Sequence, residues 1–136
     1  MKAIICDIDG TLAHMQDRDP YDYDKVDTDV VDKTIKEILR TFYSTSEYAI
    51  LIVSGREDTC KQITERWLGK NYVMYDELFM RKHGDYRPDE VIKKEIYDKH
   101  IKDKYDVEFV LDDRNKVVKM WRDLGLKCLQ VAEGDF

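Results

Sequence analysis

Apolar and polar positions alternate along this chain in blocks that read strand, helix, strand. Four short apolar runs, Ala3–Cys6, Ala49–Val53, Glu77–Met80 and Glu108–Leu111, predict strands, and Cys128–Val131 predicts a fifth. Between the first two, Val30, Val31, Ile35, Ile38, Leu39 and Phe42 recur along one helix face, with Thr28 or Asp29 as candidate caps. The next crossover carries Cys60, Ile63, Trp67 and Leu68 at helical spacing, opened by Asp58 and closed by Gly69. A third helix is expected to begin near Pro88, and a fourth to run from about Asn115 to Leu124 with Gly125 as its stop. Trp67 and Trp121 fall on these apolar faces and read as core. Strands alternating with helices imply an α/β, Rossmann-like parallel sheet with helices on both faces. Residues 13–27 break the rhythm: polar, rich in Tyr and Asp, and carrying Pro20, they predict a short flap. Such a segment is too short for a cap domain, so the cleft beneath it is expected to stay open.

At 136 residues the chain is expected to be one domain, 1–136, with enough length to bury a real core. Hydrophobic residues at 43% and charged residues at 38% fit a folded, soluble protein, and no low-complexity tract or repeat is visible. Cys6, Cys60 and Cys128 are too scattered for a metal site and read as small hydrophobes. An acidic motif begins at residue 7, and no apolar stretch is long enough to span a bilayer, so a cytoplasmic location is expected, with no membrane partner. A net charge of −6 argues against a broad electrostatic grip on a nucleic-acid duplex, but not against recognition of one phosphate at a strand end.

The first strand ends in Asp7-Ile8-Asp9-Gly10-Thr11-Leu12. Residues i and i+2 of a strand share a face, so these two acids are expected to converge on one small volume. A divalent cation binds carboxylates of this kind, and an aspartate can also serve as a phosphoryl nucleophile. The same run could instead be a turn held by Asx hydrogen bonds. The second strand ends in Ser54-Gly55-Arg56, a hydroxyl, a close backbone approach and a guanidinium fork suited to phosphate oxygens. The fourth ends in Asp112-Asp113-Arg114, where adjacent carboxylates repel unless a cation joins them. Ligands of open parallel sheets bind at the carboxyl ends of strands, so the three runs are expected to meet. Asp89 and Lys93, four apart on the third helix, either form a surface ion pair or point Lys93 at the phosphate with Asp89 orienting it; Lys94 is the weaker candidate.

With these runs in place the chain resembles the haloacid dehalogenase superfamily, specifically the phosphatase domain of phage and bacterial polynucleotide kinase-phosphatases. The resemblance covers nearly the whole length. It includes Asp7-x-Asp9-Gly10-Thr11-Leu12, Arg18-x-Pro20-Tyr21, Asp27-Thr28-Asp29, Val53-Ser54-Gly55-Arg56, Gly84-Asp85-x-Arg87-x-Asp89 leading to Lys93, the stretch from Asp112 to Arg122, and the ending Gln130-Val131-Ala132-x-Gly134-Asp135-Phe136. The resemblance implies Asp7 as nucleophile and Asp9 as general acid and then base. It implies Mg2+ held by Asp7, the Asp9 backbone carbonyl, Asp112 and Asp113. Thr11, Ser54, Gly55 and Lys93 would hold the phosphate, with Arg18, Arg56, Arg87 and Asp89 completing the site. The implied activity is removal of a 3′-phosphate from DNA or RNA ends through an aspartyl phosphate, alongside kinase or ligase partners. Arg18, Arg81 and Arg87 are expected to meet the penultimate phosphates, and Tyr21 or Tyr23 to stack on a terminal base.

The chain has no Gly-x-x-x-x-Gly-Lys-Ser/Thr loop, so no 5′-kinase activity is expected from it, and its start at Met1 favours a free-standing domain. A small-molecule phosphatase of the same superfamily would share the site. A receiver-like phosphoacceptor domain is disfavoured, because receivers lack a second acid two residues after the phosphorylated one.

Overall fold

In the computed structural model, which describes residues 1–16 and 18–136, five parallel strands form one sheet. In chain order these are β1 (Lys2–Cys6), β4 (Tyr48–Glu57), β5 (Glu77–Arg81), β6 (Asp106–Asp112) and β7 (Cys128–Gln130), and they lie side by side as β5-β4-β1-β6-β7. A separate two-stranded ribbon pairs β2 (Ala13–His14) with β3 (Val30–Val31) antiparallel. The described residues also form four α-helices, α1 (Lys33–Ser44), α2 (Lys61–Lys70), α3 (Asp89–Ile96) and α4 (Asn115–Asp123). The expected α/β architecture is present, and none of these helices is long and apolar enough to cross a membrane.

The alternation of strand side chains divides the core in two. On β1, Ile4 and Cys6 point to one face while Ala3 and Ile5 point to the other, and all four are buried because the central strand is covered on both sides. The first face packs on Ile35 and Leu39 of α1 and on Trp67 and Leu68 of α2; the second packs on Val117, Val118 and Trp121 of α4.

Of the four α-helices among the described residues, α1 alone starts on a side-chain cap. Asp32 caps α1, accepting from the Ile35 amide at 3.0 Å, so neither Thr28 nor Asp29 is the cap. The helix starts three residues later than the periodicity implied, because Val30 and Val31 instead pair with His14 and Ala13. Gly69 lies inside α2, which closes at Asn71. The flap is a 3-10 turn, Tyr23–Thr28, beside the β2-β3 ribbon. Asp17, within the expected flap, lies outside the described residues.

Candidate active site

Register determines which side chains can meet. Cys6 of β1 pairs with Leu111 of β6, and the Asp7 amide donates to the Leu111 carbonyl at 3.0 Å, so Asp7 stands level with Asp112. Strand order runs from β1 to β4 on one side and to β6 on the other, which makes the β1/β6 tips the switch point where open sheets take ligands. One carboxylate oxygen each from Asp7, Asp112 and Asp113 lies within 4.8 Å of the other two. The acids sit at the floor of a cleft of ≈ 740 Å³ that also opens onto Gly55, Arg56, Asp89 and Arg114.

One ammonium faces these three acids. Lys93 Nζ donates to Asp7 Oδ1 at 2.7 Å and to Asp112 Oδ2 at 3.0 Å, and it is almost wholly buried. Burial alone would pull its pKa down, but Asp112 and Asp7 outweigh that and hold it charged. The Asp7 carboxyl is pushed well above its ordinary value, first by burial and then by Asp112, with Lys93 opposing. Burial also raises Asp113. Three buried acids sharing one cation leave room for a second positive charge, and all-oxygen donors suit a hard divalent ion. The residues therefore fit a metal.

Thr11 and Gly10 hold the acids from below. Thr11 Oγ1 lies 3.0 Å from Asp7 Oδ2 and 3.3 Å from Asp113 Oδ1, within reach of both. Gly10 has φ +83°, and a Cβ there would fall 2.1 Å from Asp113 Oδ2, so the turn admits only glycine. Behind the doublet, Trp121 donates its indole N–H to Asp112 Oδ2 at 3.2 Å. The apolar face placed Trp121 in the core, where it lies, but gave no sign of this contact. The available clue was that a buried indole N–H requires an acceptor.

Asp9 takes a different direction from Asp7. Its carboxylate stays 38% exposed and accepts from Arg56 Nε at 3.0 Å and Nη2 at 2.8 Å. The two acids of the Asp-x-Asp pair therefore do not share one carboxylate cluster. Arg56 also bonds Asp29 at 3.0 Å and Thr64 at 3.1 Å, and Asp29 in turn takes Arg18 Nε at 2.8 Å. Buried Asp29, which the pattern offered as a helix cap, instead neutralises two arginines under the flap. The Arg18 side chain is 1% exposed there, so it is not a rim residue for distal phosphates. Ser54 is fully buried, and its Oγ accepts from the Arg56 amide at 3.1 Å.

Asp89 does not orient Lys93. Its carboxylate sits between Arg81 Nη2 and Arg114 Nη1, the latter at 3.0 Å, while Lys93 reaches past it to Asp7. The i, i+4 spacing puts the two on one helix face, but the guanidiniums of β5 and the β6–α4 loop are better partners for a carboxylate at the helix start. Arg81 is largely buried, with its Nε donating to the Gly55 carbonyl at 2.8 Å, so it too is not free for a distal phosphate. Lys94 pairs with Asp98 on the surface.

The sequence matches, over residues 1–136, the family described as Polynucleotide kinase PNKP phosphatase domain. The chain belongs to this family. A bifunctional polynucleotide kinase/RNA ligase, so named, of Autographa californica nuclear polyhedrosis virus is 34% identical over 125 residues, covering 90% of this chain and 18% of the viral protein. Among solved structures, the Pnkp1/Rnl/Hen1 complex contains a chain that superposes with a TM-score of 0.95 at 46% identity, over 99% of this chain and 47% of that one. The same holds for the Pnkp1/Rnl/Hen1 RNA repair complex, where 43% of the matched chain is covered. A class C acid phosphatase from Bacillus anthracis shares the fold, with a TM-score of 0.72 at 13% identity, over 97% of this chain and 66% of that one. This chain thus spans less than half the length of its polynucleotide kinase relatives.

Proposed function

We propose that residues 1–136 act as one phosphatase domain that removes the 3′-phosphate from nucleic-acid ends. The observation that carries this reading is Asp7, buried beside Lys93 at 2.7 Å and level with the Asp112-Asp113 doublet, in a chain of the PNKP phosphatase family. An Asp7 oxygen attacks phosphorus and the bond to the 3′ oxygen breaks. Asp9 at the cleft wall gives the leaving oxygen its proton. The aspartyl phosphate is then hydrolysed by water, with Asp9 taking the proton back. Lys93 bears on the transferring phosphoryl group from the Asp7 side, and the Gly55 end of β4 lines the same cleft.

Asp7, Asp112, Asp113 and the Asp9 backbone carbonyl would hold Mg2+, which when bound offsets the negative charge that an incoming phosphate adds to an already acidic floor. Thr11, Ser54 and Arg18 serve this site from beneath, by holding Asp7, the Arg56 amide and Asp29. Arg56 supports Asp9, and Arg87 lines the cleft mouth. The relatives named for kinase, ligase and RNA repair support a role beside kinase and ligase activities, with RNA ends as the first substrate to try.

The test is phosphate release from matched RNA and DNA oligonucleotides ending in 3′-phosphate, with and without Mg2+, against free 3′-mononucleotides. Metal-dependent release that favours the oligonucleotides is expected. Clear preference for mononucleotides would replace the end-processing reading with a small-molecule phosphatase.

A further inference from the structure

Resting on the 3′-end reading, we infer that Tyr86 is the platform on which the terminal nucleobase of the substrate stacks. Tyr86 lies at the cleft, 82% exposed, and its ring takes part in no aromatic pair or side-chain hydrogen bond among the described residues. An exposed tyrosine on a loop is usually free to wander. This one sits on a loop that is stapled on either side, whereas Tyr21 of the flap, which lines the same cleft and is 83% exposed, has the Arg18 bonds to the Asp19 and Pro20 carbonyls on one side of it, and Tyr23 is half-buried. Arg81 Nη1 donates to the carbonyl of Asp85 at 2.9 Å and also to that of Arg87, the residues immediately flanking Tyr86. The Asp85 carboxylate then accepts from the Arg87 amide at 3.2 Å and from its side chain at 2.9 Å and 2.6 Å. The same Arg81 guanidinium holds the Gly55 carbonyl at 2.8 Å. One largely buried cation therefore fixes the backbone of Tyr86 relative to the Gly55 end of β4, while the ring itself remains uncovered.

The charges of the cleft explain why an aromatic is needed. Its five cationic side chains, Arg56, Arg81, Arg87, Lys93 and Arg114, are all engaged: by Asp9, Asp89, Asp85, Asp7 and Asp89 in turn. Among the described residues, no cation lining the cleft is left without a carboxylate partner to grip the phosphates beyond the one that reacts, in a chain whose net charge is −6. Affinity for a polynucleotide end must come from another source, and base–aromatic stacking is the sequence-tolerant one, worth about five- to 150-fold per base. A platform of this kind takes an unpaired terminal base and gives shallow salt dependence, unlike binding built on phosphate neutralisation.

The experiment compares kcat/KM for a 3′-phosphorylated oligonucleotide with a normal terminal base against one whose terminal nucleotide is abasic. The wild-type preference for the base-bearing end is expected to fall about tenfold or more in Tyr86→Ala and to survive in Tyr86→Phe, with the base-bearing KM nearly flat between 50 and 200 mM salt, a span over which phosphate grippers weaken by orders of magnitude. A Tyr86→Ala enzyme that keeps the wild-type preference, or a wild type with none, overturns the platform while leaving the 3′-phosphatase reading standing. Failure of the wild type to release phosphate from any 3′ end would sink both.

Discussion

Gly134 offers the sharpest test of how the acid doublet is held. The segment after β7 folds back along Asp112-Asp113-Arg114: the Val131 amide donates to the Asp112 carbonyl at 3.1 Å, Gln130 Nε2 to the Asp113 carbonyl at 2.9 Å, and the Asn115 amide to the Gly134 carbonyl at 2.8 Å. Where a Gly134 Cβ would stand, the Asp113 carbonyl oxygen is 1.9 Å away, its carbon 2.6 Å and the Arg114 Cα 2.7 Å. All three are backbone, so no rotamer change makes room. In Gly134→Ala one wall must retreat by about 1 Å, and Asp113 cannot do so freely because its carboxylate is packed against Gly10. Overpacking of this size costs about 1–3 kcal/mol, or a Tm lower by about 4–12 °C. A 1 Å displacement at a reacting centre costs up to about 10²-fold in rate. The assay pairs turnover of an aryl phosphate with calorimetric titration of the divalent ion at 20 °C, where circular dichroism verifies folding. Glu133→Ala, at an exposed neighbour, is the control. Weakened metal binding together with a rate loss near 10²-fold is expected for Gly134→Ala and neither for the control. A variant with lowered Tm but wild-type metal affinity and rate would refute the claim that this tail positions Asp113.

Asp7→Asn is expected to lose at least about 10⁴-fold in kcat, yet to shift the metal-free Tm by only a few degrees, since Lys93 keeps Asp112 and one crowded charge is gone; loss of most folded protein in a thermal melt would make Asp7 structural instead. The Tyr105 phenol, bonded to Glu77, is pushed up to about 12. Between pH 10 and 12 the folded chain therefore keeps a proton that the unfolded chain has lost, so stability falls as pH rises through that window. Denaturant melts should show Tyr105→Phe with a shallower decline, and identical slopes would discount the bond. Burial and Asp112 raise the Cys128 thiol to about 12, and burial and Asp7 raise Cys6 as well. Both should resist iodoacetamide at pH 8 until denaturant is added, as read by mass spectrometry; rapid labelling of the native protein would contradict their burial.

Much of this site was legible in the chain because it is built from local rules. A strand buried on both faces must be apolar throughout, so Ala3–Cys6 and Ala49–Val53 announce themselves, and the residues that follow each apolar run, at the carboxyl end of its strand or just past it, lie by topology at one edge of the sheet. That logic brings Asp7, Gly55 and Asp112-Asp113 to one cleft without any distance being needed. Ion pairing obeys no such spacing. Asp29 binds Arg18 and Arg56, and Asp89 binds Arg81 and Arg114 in place of Lys93 four residues away, because a carboxylate takes whichever guanidiniums the packing of separate elements brings near. The same holds for Trp121 on Asp112 and for Gly134 against Asp113. Periodicity along the chain determined the sheet, its order of motifs and the chemistry at its tips. Only the tertiary structure decided which charges neutralise one another and which residues hold the acids in place, since those depend on how separate elements pack, whether the partners are 8 residues apart, as Arg81 and Asp89 are, or 86, as Asp7 and Lys93 are, and no local pattern encodes that.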